Sequence, residues 1–215
     1  GATIDGLKSI KAPTVSANDN TNGGTVAWVD TPNSLTLNGL VATATSGAAF
    51  TKSYFIKLTS FGFGIPTNAT VTGVAVNLYG LRTGPVKIQA VELIVNGNTT
   101  TDGAGAGTDW PNGTAVSLSN AWSALLSPAL VNVAGFGVEI ACSSTAAATA
   151  SLDYVSVQIT YSIPDGEILV AFSPSEYTMS KVVNCNNRLT VFGYDASTVP
   201  LALDYDIAYA DIPVR

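Results

Sequence analysis

The chain has 215 residues, 15 acidic against 9 basic side chains for a net charge of −6, two cysteines and no histidine. Histidine is the usual general base near neutral pH and the commonest metal ligand, so its absence removes Ser-His-Asp and Cys-His catalysis, most zinc sites and haem. The acidic balance, with no run of Lys or Arg, speaks against nucleic acid or an anionic membrane as partner, and no apolar run reaches the roughly 18 residues that span a bilayer.

Residues 1–24 are rich in Thr, Asn, Gly and Ser and end in Asn20-Thr21-Asn22-Gly23-Gly24. They read as an N-terminal arm, flexible or added as a strand to a sheet, and the first ten lack the apolar stretch of a secretory leader. From residue 25 to 163 apolar and polar residues alternate at the period of half-buried strands, separated by Gly, Pro and Asn turns. Val74, Val76 and Leu78 against Ala75 and Asn77 are the clearest case. The pattern predicts strands at 25–29, 34–45, 53–59, 71–79, 86–95, 129–133, 135–142 and 152–161. Within 86–95 the apolar phase slips between Ala90 and Val91, which predicts a β-bulge there. Asn96-Gly97 follows as a type I′ hairpin turn. A long loop over 99–112 and one or two helical turns near 119–126 complete the region. Short strands at this spacing predict an all-β, jelly-roll-like antiparallel β-sandwich.

Past Pro164 the chain becomes more acidic, and strands are predicted at 167–172, 187–194 and 201–209. The last alternates Leu201, Leu203, Tyr205, Ile207 and Tyr209 with Ala202, Asp204, Asp206 and Ala208. Three strands alone are marginally stable. Residues 164–215 are therefore expected to dock their apolar face on the sandwich or on a neighbouring subunit, which makes Leu201, Leu203, Tyr205, Ile207 and Tyr209 candidate subunit contacts.

Sites for chemistry are sparse. Gly103-Ala104-Gly105-Ala106-Gly107 lacks the Lys-Ser/Thr and the helix of a phosphate loop. Asp204 and Asp206, or Asp102 and Asp109, could contribute to a cation site, but such a site draws six or more oxygens from several segments, and solvated surface is the plainer reading. Trp110 stands between Asp109 and Pro111 in a surface loop, with Asn112 close behind. Asp109, Trp110 and Asn112 are the candidates for ligand or partner contact: the indole either offers a sugar-stacking platform or folds back to cap the core. Trp28 and Trp122 sit in apolar runs and read as core. Cys142 continues the apolar face of Phe136, Val138 and Ile140; it and Cys185 are either bonded to each other or, on the plainer reading, two buried thiols.

Four segments carry a resemblance. They are Ser53 to Pro66 with Phe61-Gly62-Phe63-Gly64-Ile65-Pro66, Ala69 to Val76, Val131 to Val138, and Leu152 to Tyr161. Together they resemble a β-sandwich module of tailed-bacteriophage virion proteins, over roughly residues 25–163. The motifs mark strands and turns, so the resemblance implies a place on a virus particle and carries over no catalytic residues. The expected function is a non-enzymatic structural protein on the exterior of a phage particle, decorating or attached to the capsid or tail. Expected partners are other virion proteins and copies of itself, a trimer by the same analogy, with no cofactor and no metal. The alternative is a carbohydrate-binding module of a phage receptor-binding or secreted bacterial protein, with glycan as partner and Trp110 in its platform.

Overall fold

The computed structural model describes residues 3–100, 103–164, 178–185, 188–194 and 200–206. Strands dominate it: β1 (Thr3–Lys11), β2 (Val15–Asp19), β3 (Ala42–Ser46), β4 (Phe55–Thr59), β5 (Thr70–Thr83), β6 (Val86–Val95), β7 (Asn98–Thr99), β8 (Val116–Ser119), β9 (Gly137–Ser144), β10 (Ala148–Pro164), β11 (Thr178–Cys185), β12 (Arg188–Tyr194) and β13 (Pro200–Asp206). Among the described residues the α-helix is the single turn α1 (Pro128–Val131), preceded by a 3-10 turn at Ala121–Leu125. The chain divides into a body of residues 5–162 and a second unit that holds the C-terminal strands.

Two sheets build the body. The first runs β3-β10-β5-β8, with β1 also alongside β10, and the second runs β2-β4-β9-β6-β7. From β3 to β10 the chain alternates between the sheets except at the β6–β7 hairpin. That is the double Greek key of a jelly roll, with β1 and β2 added at its margins. The fold is therefore an all-β antiparallel sandwich, and residues of the predicted arm form strands within it.

Period-2 alternation explains the core. Val74, Val76 and Leu78 of β5 lie opposite Ile159, Val157 and Val155 of β10, while Val138 and Ile140 of β9 lie opposite Leu93 and Val91 of β6. All of these, with Phe136, are 4% exposed or less. Burying each such side chain contributes about 1.5–3 kcal/mol. The predicted phase slip in β6 is a register shift between Ile88 and Ala90. It lets Ile88 and Val91 both face inward. Asn96 and Gly97 have φ of 52° and 75°, as a type I′ turn requires.

The motif at 61–66 is structural in detail. Phe61 and Phe63 stack at 5.9 Å between ring centroids, and both meet Phe136 edge-on, at 6.2 and 5.8 Å. Gly62 between them has φ 64°, a conformation open to glycine at little cost. The Asn132 side-chain amide then brackets Ile65, accepting from its N–H at 2.9 Å and donating to its C=O at 2.8 Å.

Three predicted strands are corrected. Residues 129–133 form α1 and its C-cap, because Pro128 presets the first turn and Asn132 is engaged by Ile65. Residues 25–29 make isolated bridges, Val26 to Ser53 and Val29 to Thr43. Their backbone is otherwise held by Asn18, whose side chain donates to Trp28 C=O at 2.6 Å and accepts from Trp28 N–H at 2.9 Å. Of residues 34–45 only the end from Ala42 joins a sheet. The rest is a 3-10 turn, Thr31–Ser34, and a loop bent at Gly39, where φ is 81°.

In the second unit β11, β12 and β13 form an antiparallel meander, with Val182 opposite Val191 and Val191 opposite Leu203. Strand β12 matches the prediction at 187–194. The strand at 178–185 was not anticipated, and the predicted strand at 167–172 lies outside the described residues.

Candidate functional site

Trp110 is 1% exposed and folds into the body. Its Nε1–H donates to Ser151 C=O at 3.0 Å, and its ring meets Trp28 with centroids 5.7 Å apart. The indole is core, and no platform for a sugar remains at this position. Asp109 stays outside, where it takes Lys87 on one oxygen and Arg82 on the other, the latter at 3.1 Å. Hydrogen bonds from Lys87 and then Arg82 hold its carboxyl at about 2, well below the usual carboxylate range. Its charge is thus committed to its own strands. Asn112 is exposed beside it. Leu201, Leu203 and Tyr205 lie on β13, with register partners Gly193, Val191 and Leu189. Ile207, Tyr209 and Asp102 lie outside the described residues. Cys142 is a free buried thiol that burial pushes up to about 11. Among the described residues no group of three or more Cys, Asp or Glu is arranged to hold a metal.

The outer faces of the two sheets differ sharply. That of the second sheet carries charge: Glu139 of β9 lies opposite Lys57 on one side and Glu92 on the other. Glu139 is only 2% exposed. Burial foremost, with Glu92 and Asp19 adding to it, raises its pKa above the ordinary glutamate value, while Thr99 and Lys57 pull the other way. Asn22 donates to its Oε1 at 3.4 Å, and Lys52 in turn donates to Asn22 C=O. This buried carboxylate is tied down by its neighbours and turned away from solvent. Near the bulge of β6, an open depression of about 820 Å³ is lined by Thr25, Thr51, Gln89, Ser143 and Thr145. Phe50 also borders it but is 7% exposed, so it offers no ring face for stacking.

The outer face of the first sheet is neutral at every paired position of β3, β5, β8 and β10. Cross-strand rows there read Thr43–Ser151–Leu81, Tyr154–Tyr79, Ser156–Asn77–Ser117 and Gln158–Ala75–Ser119. Val29 extends the first row through two backbone hydrogen bonds with Thr43, at 2.8 and 3.0 Å, and Leu35 bridges to Tyr154. A register shift in β10 between Leu152 and Tyr154 sets Asp153 aside from the ladder. Its buried carboxylate accepts from the N–H groups of Asn38 at 3.2 Å and Gly39 at 3.2–3.3 Å. That anchors the loop 35–41 against the sheet with Leu37 and Leu40 pointing to solvent, at 57% and 59% exposure. Val29 and Leu81 are similarly open, at 57% and 51%. The result is a pre-formed, partly apolar surface with paired tyrosines, bordered by β1, which carries the exposed Asp5, Lys8 and Lys11. Sequence reasoning missed it because alternation over 34–45 suggested a strand, which would have set Leu37 and Leu40 on opposite faces of a sheet rather than together on a loop.

No protein-family model, no curated protein and no solved structure matches this chain.

Proposed function

We propose that this chain is a non-enzymatic structural protein on the exterior of a bacteriophage particle, attached to the capsid or tail and packed permanently against neighbouring subunits. The uncharged cross-strand rows of β3, β10, β5 and β8 carry the reading. Cores of protein–protein interfaces are depleted in charge and enriched in aromatic residues, and the rows around Tyr79 and Tyr154 have that make-up. The sequence resemblance over residues 25–163 supplies the phage setting. The jelly-roll topology is compatible with it, since capsid proteins use that architecture, although lectin domains do too. A sugar-binding role lost its anchor with the burial of Trp110. The chain assembles with copies of itself and with other virion proteins, and takes no cofactor and no nucleic acid.

Purified particles decide the matter. Mass spectrometry and a particle reconstruction should find the chain at a constant copy number in symmetric positions on the outside. Its absence from particles, or polysaccharide turnover lost with a single Asp or Glu substitution, would overturn the proposal.

A further inference from the structure

We infer that Asn96 is a site of spontaneous backbone modification: its side-chain amide is lost as ammonia through a cyclic imide with Gly97, and the residue becomes aspartate or isoaspartate. The chain contains four Asn-Gly pairs, at Asn22, Asn38, Asn96 and Asn112. Asparagine is among the thermolabile residues. A following glycine favours the reaction, because no side chain obstructs the approach of the glycine nitrogen to Cγ and the glycine backbone turns freely. All four asparagines are exposed, so water reaches each of them.

The folded chain treats them differently. At three pairs the attacking nitrogen is held. Gly23 N–H donates to Asn20 C=O at 3.1 Å and Gly113 N–H to Gly80 C=O at 2.9 Å, while Gly39 N–H donates to the Asp153 carboxylate at 3.2–3.3 Å. Asn22 and Asn38 are also engaged at the side chain, by Glu139 and by Leu40 N–H. Each of the three backbone bonds must break before the nitrogen can swing to Cγ. Among the described residues nothing accepts from Gly97 N–H, and the bond from Asn98 Nδ2 to Asn96 C=O, at 3.2 Å, engages neither reacting atom. The turn also gives way readily. Asn96 sits at φ 52°, a left-handed conformation that costs a non-glycine residue energy. Beyond it β7 is two residues long, paired through Ile94–Thr99 and Val95–Asn98.

In the reaction Gly97 N gives its proton to water or hydroxide and bonds to Asn96 Cγ; the Cγ–Nδ2 bond breaks, and ammonia leaves with a proton returned from solvent. Water then opens either C–N bond of the imide. One opening yields aspartate, and the other threads the backbone through Cβ and Cγ as isoaspartate. Both products add a negative charge. Isoaspartate also lengthens the backbone, which a two-residue type I′ turn does not accommodate, so β7 leaves β6 and uncovers an edge of the second sheet.

Timed incubation of the folded full chain at mildly alkaline pH tests the inference, read by peptide mass spectrometry with fragmentation that separates aspartate from isoaspartate. Asn96 should convert at least about fivefold faster than Asn22, Asn38 or Asn112, the factor set by one hydrogen bond that need not be broken. In urea, where none of those bonds survives, the four rates should converge. Asp153→Ala removes the acceptor of Gly39 N–H and should speed conversion at Asn38 by a similar factor, with Asn96 unchanged. If that variant does not fold, the wild-type comparison decides alone. An Asn96 no faster than the other three in the folded chain would overturn the inference. So would a rate order that persists in urea, which would then come from local sequence, or an Asn38 indifferent to Asp153→Ala in a folded chain.

Discussion

Replacing Trp110 by Ala separates core from platform, and the structure sets the size of the effect. The indole is 1% exposed, packs on Trp28 and donates to Ser151 C=O. Truncating a buried Trp to Ala costs about 3–5 kcal/mol through lost burial and the cavity left behind. Part of that is the Ser151 carbonyl, which loses its partner. Trp110→Phe keeps most of the ring and isolates this part, at about 1–2 kcal/mol. Urea unfolding followed by far-UV circular dichroism avoids the change in tryptophan fluorescence. With a denaturant slope of about 2 kcal/mol per M, the midpoint should fall by about 2 M for Trp110→Ala and by about 0.5–1 M for Trp110→Phe. A fall below about 0.5 M for Trp110→Ala would refute the packing argument. So would a fully stable Trp110→Ala variant that had lost binding to a glycan array.

The buried acid of the second sheet gives a pH signature. Because burial raises the pKa of Glu139 in the folded chain, the native state holds that proton more tightly than the unfolded one. Stability contributed by the group is present at pH below the ordinary glutamate value and declines as pH rises through the folded pKa. Glu139→Gln should flatten that decline and leave the variant more stable at neutral pH; identical pH profiles in chemical unfolding would contradict this. Cys142, buried and held near pKa 11, should resist alkylation in the native chain at pH 8 and react only on unfolding, measured in a Cys185→Ser background; rapid native labelling would show that the thiol is reachable. Asp153→Ala should free the 35–41 loop at a cost of about 1–3 kcal/mol and speed amide exchange at Asn38 and Gly39, while unchanged exchange would mean that the carboxylate does not hold the loop.

Alternation alone determined the middle of the fold. The span predicted for β6 and its bulge, the inward sides of β5, β9 and β10, and the Asn96-Gly97 turn were all legible, because a strand with one buried face must repeat every two residues. What alternation could not decide was whether an alternating stretch finds a neighbour to pair with. Residues 34–41 and 129–133 carry strand-like patterns, yet partners remote in sequence hold them in other conformations: the Asp153 carboxylate accepts from the backbone of Asn38 and Gly39, and the Ile65 backbone pairs with the Asn132 side chain. Trp110 shows the same limit. Its loop reads as surface, and only the approach of Ser151 and Trp28 from other strands makes a pocket for the indole. The uncharged rows of the first sheet are the reverse case. Each strand looks ordinary by itself, and the rows acquire meaning only when β3, β10, β5 and β8 lie side by side. Local sequence sets which side of a strand is apolar, whereas long-range pairing decides which strands share a face and so what that face can meet.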